Sequence, residues 1–113
     1  MEITLRQLKY LISLAEQGHF GRAAAACNVS QPALSVQIRD LEEEIGVRLF
    51  ERSPRRVVLS AAGERFLPHA RGILAALADA VAEARRAARG ELGELRVGFT
   101  SSLPFTDLLP DAL

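Results

Sequence analysis

The sequence contains one cysteine, Cys27, and two histidines, His19 and His69. A lone thiol excludes an internal disulfide framework. Its place on an apolar helical stripe suits a core residue better than a nucleophile or a redox sensor. No GxGxxG, P-loop, HExxH or CxxC pattern occurs, so no catalytic, cofactor or metal site is expected. No apolar run approaches the roughly 20 residues that span a bilayer. The opening MEITLRQLKY lacks the basic and apolar regions of a signal peptide. These absences point to a cytoplasmic protein that is no enzyme and has no membrane partner.

Net charge is lacking too: 14 Lys and Arg offset 14 Asp and Glu over 113 residues. Neutrality of the whole chain does not exclude a polyanionic partner, because affinity depends on a local basic face. Residues 1–59 carry net +1, residues 60–90 net +2 and residues 91–113 net −3. Acidity gathers at Glu42, Glu43 and Glu44, and arginine at Arg52, Arg55 and Arg56.

Helical punctuation is abundant. Thr4 followed by Gln7 is a capping-box pattern, and Leu5, Leu8, Ile12 and Ala15 recur at helical spacing. A first helix is expected from about Leu5 to Gln17, stopped by Gly18 in a left-handed conformation. A short second helix begins near Phe20, with Phe20, Ala23, Ala24 and Cys27 on one stripe. Asn28 tolerates a left-handed turn. Ser30 then caps a third helix, with Pro32 near its start, where a missing N–H costs little. It runs to about Ile45, ends at Gly46 and buries Leu34, Ile38, Leu41 and Ile45. Two helices separated by a tight turn after an alanine-rich segment form a helix-turn-helix.

The period changes after Val47. Leu49-Phe50 and Val57-Val58-Leu59 are β-prone runs around Arg52-Ser53-Pro54-Arg55-Arg56, as in a small hairpin or wing. Ser60 caps a last helix of about 61–89, closed by Gly90. Phe66, Ala70, Ile73, Leu77, Ala80, Ala84 and Ala87 alternate spacings of four and three, with Leu67, Leu74, Val81 and Ala88 in a parallel row. So sustained a stripe predicts a coiled-coil-like dimer seam, for which Phe66, Ala70, Ile73, Leu74, Leu77, Val81 and Ala84 are the candidates. Pro68 is expected to kink the helix locally. A core of roughly 60 residues buries only about 60% of its unfolded surface, so oligomerisation would help it. Residues 95–99 look like a buried strand and Thr100-Ser101-Ser102 like a helix cap. Together they suit the opening βα unit of a further domain.

The expected fold is therefore mainly α. Residues 1–60 form a winged helix-turn-helix, residues 61–90 a dimerising linker helix and residues 91–113 the start of an α/β domain. At about 100° per residue, the third helix turns Pro32, Val36, Arg39 and Glu43 away from its apolar stripe, with Gln31 and Ser35 at the edge of that face. Glutamine pairs with adenine, serine with several base edges, and arginine with guanine or phosphate. The helix N-terminus attracts phosphate, and the three glutamates lie at the far end. A merely solvated face is the bland alternative. The competing functional reading is a protein-interaction module that works through the long helix.

Several runs resemble LysR-type transcriptional regulators. They are Leu5-Arg6-Gln7-Leu8-Lys9-Tyr10, Phe20-Gly21-Arg22-Ala23-Ala24, and Val29-Ser30-Gln31-Pro32-Ala33-Leu34-Ser35. Gln37-Ile38-Arg39-Asp40-Leu41-Glu42, Gly46-Val47-Arg48-Leu49-Phe50-Glu51-Arg52 and Leu59-Ser60-Ala61-Ala62-Gly63 continue the resemblance, which spans residues 3 to about 100. It implies a sequence-specific DNA-binding transcription factor that acts on an interrupted palindromic operator. It further implies a homodimer with antiparallel linker helices, or a tetramer at full length, and a C-terminal small-molecule effector domain. By position Gln31, Pro32 and Ser35 match the family's groove-facing residues, and Arg52 and Arg55 match its wing; Ser30, Val36 and Arg39 on the same helix, and Arg56 beside the wing arginines, complete the candidate DNA-binding set. Thr100, Ser101 and Ser102 would match the effector site. Where many members carry arginine after the groove serine, this chain has Val36, which reaches neither phosphate nor guanine but can meet a thymine methyl.

Overall fold

A computed structural model describes residues 1–90 of the chain. The expected strand over 95–99 and the Thr100, Ser101 and Ser102 site lie outside the described residues. Four helices and one hairpin follow in order: α1 Leu5–Gln17, α2 Phe20–Ala26, α3 Gln31–Ile45, β1 Phe50–Arg52, β2 Val57–Leu59 and α4 Ala61–Ala88. By compactness the chain divides into two units, Met1–Ala75 and Ala76–Leu113. Among the described residues, no helix is long and apolar enough to cross a membrane.

Local chemistry sets the helix ends. The Thr4 hydroxyl accepts the Gln7 N–H at 3.1 Å while Gln7 Oε1 accepts the Thr4 N–H at 3.0 Å, which completes the capping box. Gly18 at φ 67° and Gly46 at φ 89° stop α1 and α3 in the left-handed region. Asn28, at φ 60°, makes the turn between α2 and α3. Pro68 lies inside α4 without ending it. Its missing N–H removes one hydrogen bond from a ladder that continues on either side.

The core of the first unit is built from Leu8, Leu11, Leu14, Ala23, Ala24, Leu34, Ile38, Leu41, Leu49, Phe50 and Ala70. On α1 the buried stripe is rotated from the expected one. Leu8, Leu11 and Leu14 are buried, Ile12 and Ala15 are half-buried, and Leu5 is exposed. On α3 the expected residues Leu34, Ile38 and Leu41 are buried and Ile45 is half-buried.

The hairpin pairs Phe50 with Leu59, Glu51 with Val58 and Arg52 with Val57 in antiparallel register. Its base is tied down from several directions. The Val57 N–H donates to the Gly18 carbonyl at 3.0 Å, so the residue that stops α1 also holds β2. Ser60 donates its N–H to the Leu49 carbonyl at 2.9 Å and its hydroxyl to the Arg48 carbonyl at 2.7 Å. The same hydroxyl accepts the Gly63 N–H at 3.0 Å, capping α4. At Gly63 the backbones come so close that an added Cβ would lie 2.1 Å from the Leu49 carbonyl oxygen.

Of the seam candidates, Ala70 does not fit this packing. Ala70 is fully buried in the core of the winged unit, and Phe66 is half-buried against that core. Ala70 therefore serves packing within the chain. The Arg71 guanidinium meets the Glu16 carboxylate at 3.1 Å, an exposed pair between α4 and α1 worth about 0–1 kcal/mol. Further along α4, Ile73, Leu77 and Val81 are exposed at 47%, 42% and 38%, Leu74 is half-buried, and Ala84 is exposed.

Candidate nucleic-acid interface

The N-terminal half of α3 is the centre of the candidate site. The Ser30 hydroxyl accepts the Ala33 N–H at 3.2 Å, and Pro32 stands in the first turn, where no partner for its absent N–H is needed. Burial of Leu34, Ile38 and Leu41 fixes the rotation of the helix. Gln31, Pro32, Val36, Arg39 and Glu43 are consequently exposed, with Ser35 half-buried at the edge. The Gln31 side chain passes beside Gly21, where an added Cβ would sit 3.6 Å from Gln31 Oε1 and 3.2 Å from His19 Cε1. Gly21 thus leaves room for the two side chains that flank it.

Ser35 and Arg39 also line a groove with Phe20, Val47 and Arg48. Glu42 closes that groove and has a structural task that sequence pattern does not announce. Its Oε2 accepts the Leu49 N–H at 2.8 Å and the Phe50 N–H at 3.2 Å, bonding the last turns of α3 to the start of β1. Glu44 accepts the Glu2 N–H at 3.1 Å. The acidic cluster is therefore partly a brace for the chain rather than only a solvated end.

A second cleft, of about 670 Å³, opens between the start of α2 and the hairpin. His19, Arg22, Arg55 and Arg56 line it, with Glu16 and Glu64 on its other walls. His19 Nδ1 accepts the Arg22 N–H at 3.3 Å and caps α2. Arg22, Arg55 and Arg56 are exposed and enter no ion pair among the described residues. Ser53 shapes the hairpin tip by donating its hydroxyl to the Arg56 carbonyl at 2.8 Å and accepting the Arg56 N–H at 3.3 Å. Arg52 ends β1, opposite Val57.

The structure thus brings Ser30, Gln31, Pro32, Ser35, Val36 and Arg39 onto one end of α3, and Arg55 and Arg56 onto the hairpin. Arg22 and His19 were not singled out as site residues by sequence reasoning. The available signal was the place of Arg22 within the run Phe20-Gly21-Arg22-Ala23-Ala24, but only the folded hairpin brings that arginine beside Arg55 and Arg56. Cys27 is half-buried against the core, as its stripe position suggested.

Comparison with known proteins identifies this arrangement. Over 113 residues the chain is 54% identical to the HTH-type transcriptional regulator YnfL of Escherichia coli (strain K12), covering all of itself and 38% of that protein. Over 106 residues it is 49% identical to the HTH-type transcriptional regulator AlsR of Bacillus subtilis (strain 168), covering 94% of itself and 35% of that protein. The chain thus spans little more than a third of the length of these two relatives. Among solved structures, a CbnR DBD–DNA complex superposes with a TM-score of 0.73 at 45% identity, covering 78% of this chain and 99% of that one. Residues 5–64 match the bacterial regulatory helix-turn-helix proteins of the lysR family, and with four helices and a two-stranded wing in the corresponding order, the chain belongs to that family.

Proposed function

We propose that the chain binds double-stranded DNA sequence-specifically, as a homodimer, to regulate transcription in the bacterial cytoplasm. The observation that carries this reading is the exposed face of α3, where Gln31, Ser35 and Arg39 stand on a helix whose opposite side is locked into the core. Such a helix presents its N-terminal half to the major groove. Gln31 supplies the paired donor and acceptor that adenine requires, and Ser30 and Ser35 supply hydroxyls for base edges or phosphate. Arg55, Arg56 and Arg22, gathered at one cleft, suit the phosphates beside the groove, with Arg52 as a further wing contact. The DNA in the CbnR DBD complex supports the same assignment.

Dimerisation rests on α4. Ile73, Leu77 and Val81 recur every four residues, and all three are exposed. With Leu74 and Ala84 they form the apolar row that a second copy would cover. Two copies would engage the two halves of an interrupted palindromic operator. In the longer relatives' context, a C-terminal domain would bind a small-molecule effector, with Thr100, Ser101 and Ser102 at its opening, and dimers would assemble into tetramers. The interface itself calls for no cofactor or metal, and nothing in this reading is catalytic.

Fluorescence anisotropy with duplexes selected from a random pool tests the proposal. Selected duplexes should bind more tightly than random ones, with log affinity falling by about 0.9 per phosphate contact against log salt. Arg55→Ala should flatten that slope by about one contact. Gln31→Ala should lose about 1–3 kcal/mol of discrimination at one base pair while keeping its affinity for random DNA. Absence of any salt-sensitive binding would overturn the proposal in favour of a protein-interaction module built on α4.

A further inference from the structure

The exposed face of α3 carries an apolar strip among its polar groups. Pro32 and Ala33 are exposed in the first turn, and Val36 follows one turn later at 42% exposure. The three share one shallow groove with Tyr10 and Val29, edged by Arg6 and Gln37. None belongs to the buried core. Valine is neither a strong helix former nor a favourable residue to leave in water, so helix propensity does not account for Val36 at this exposed position.

We infer that Val36, with Pro32 and Ala33 beside it, selects thymine in the operator by covering its 5-methyl group. The inference rests on the DNA-binding reading above and names the base that one position of α3 would demand. Valine has no donor or acceptor, so it cannot satisfy the nitrogen and oxygen atoms that a base edge presents. The thymine methyl is the apolar group available on the floor of the major groove. Cytosine at the same step carries no 5-methyl group, so the strip loses its apolar contact there. Five residues of helix separate Val36 from Gln31, a rise of about 7.5 Å. The thymine should therefore lie within roughly two base pairs of the step that Gln31 meets.

Removing the methyl group alone tests this inference. The 113-residue chain is used to select duplexes from a random pool, and each thymine of the selected half-site is replaced in turn by deoxyuridine. One thymine per half-site should show a loss of roughly threefold to fivefold, the worth of one buried methyl group. With Val36→Ala that single penalty should fall below about twofold, while penalties at the step read by Gln31 persist. Val36→Ala should melt no lower than the parent, because the residue it replaces is exposed and alanine is the better helix former, and Val36→Thr, which keeps one methyl, should retain most of the penalty. Equal affinity for every deoxyuridine duplex overturns the inference, and so does a methyl penalty that Val36→Ala leaves unchanged. In both of those outcomes the selected duplex still binds, so the DNA-binding reading stands; failure to select any duplex removes both.

Discussion

Glycine-to-alanine replacement at two positions of α4 should change stability in opposite directions. Gly63 and Gly72 both lie within Ala61–Ala88, and helix propensity alone predicts that alanine stabilises each by about 0.8–1 kcal/mol. At Gly72 nothing stands within 4 Å of the added Cβ, so that gain should appear. At Gly63 the Cβ would lie 2.1 Å from the Leu49 carbonyl oxygen and 2.8 Å from Leu59 Cδ2. A carbon–oxygen contact is comfortable near about 3.3 Å, so helix and loop must part by roughly 1 Å. Overpacking of this kind costs about 1–3 kcal/mol. The Leu49 oxygen also accepts the Ser60 N–H at 2.9 Å, and its loss adds about 1 kcal/mol. After the propensity gain is subtracted, Gly63→Ala should destabilise by about 1–3 kcal/mol. Unfolding should fall by roughly 4–8 °C per kcal/mol in a domain of this size. Circular dichroism melts of the 113-residue chain at two concentrations separate this loss from any effect on assembly. A Gly63→Ala protein that melts as high as Gly72→Ala would refute the close approach of α4 to the Leu49 backbone.

Glu42→Ala should cost about 1.5–3 kcal/mol in urea unfolding, because two partly buried N–H groups lose a charged acceptor. Glu42→Gln, which keeps one acceptor oxygen, should recover part of that loss; an unchanged midpoint for Glu42→Ala would deny the brace. Leu77→Asp places a charge in the exposed row of α4 and should convert a sedimenting dimer to monomer while the winged unit keeps its near-parent melt. Retention of the dimer would move the pairing surface off that row.

Much of this architecture was legible from residues whose backbone roles are specific. Thr4 with Gln7, Ser30 with Pro32, and Gly18 and Gly46 mark the ends of α1 and α3 because few other residues satisfy those termini so well. The β-prone run Val57-Val58-Leu59 announced β2 in the same way. The rotation of α1 was less legible. Leu5, Leu8, Leu11, Ile12 and Leu14 are all apolar, so spacing permits more than one stripe, and only contact with α2 and α3 chooses Leu8, Leu11 and Leu14. Ala70 misled for a related reason: a small side chain suits a close helix pair and a tight domain core equally. The exposed face of α3 followed directly from its single buried stripe. Glu42 and Arg22 were hidden because their partners are assembled by the hairpin. Glu42 finds its N–H donors at Leu49 and Phe50, past the end of α3, and Arg22 shares its cleft with Arg55 and Arg56 from more than thirty positions back.

The carboxylate of Glu42 has a consequence for recognition. Because the helix proposed to scan base edges is bonded through that side chain to the first residues of the wing, neither element can be re-aimed alone. Little internal freedom is then left to be frozen when a duplex arrives, and preorganisation of this kind conserves affinity. It also separates two kinds of change. Substitutions on the outer side of α3 can alter which bases are preferred, whereas the angle between the two grips is inherited from a carboxylate that need touch no nucleotide.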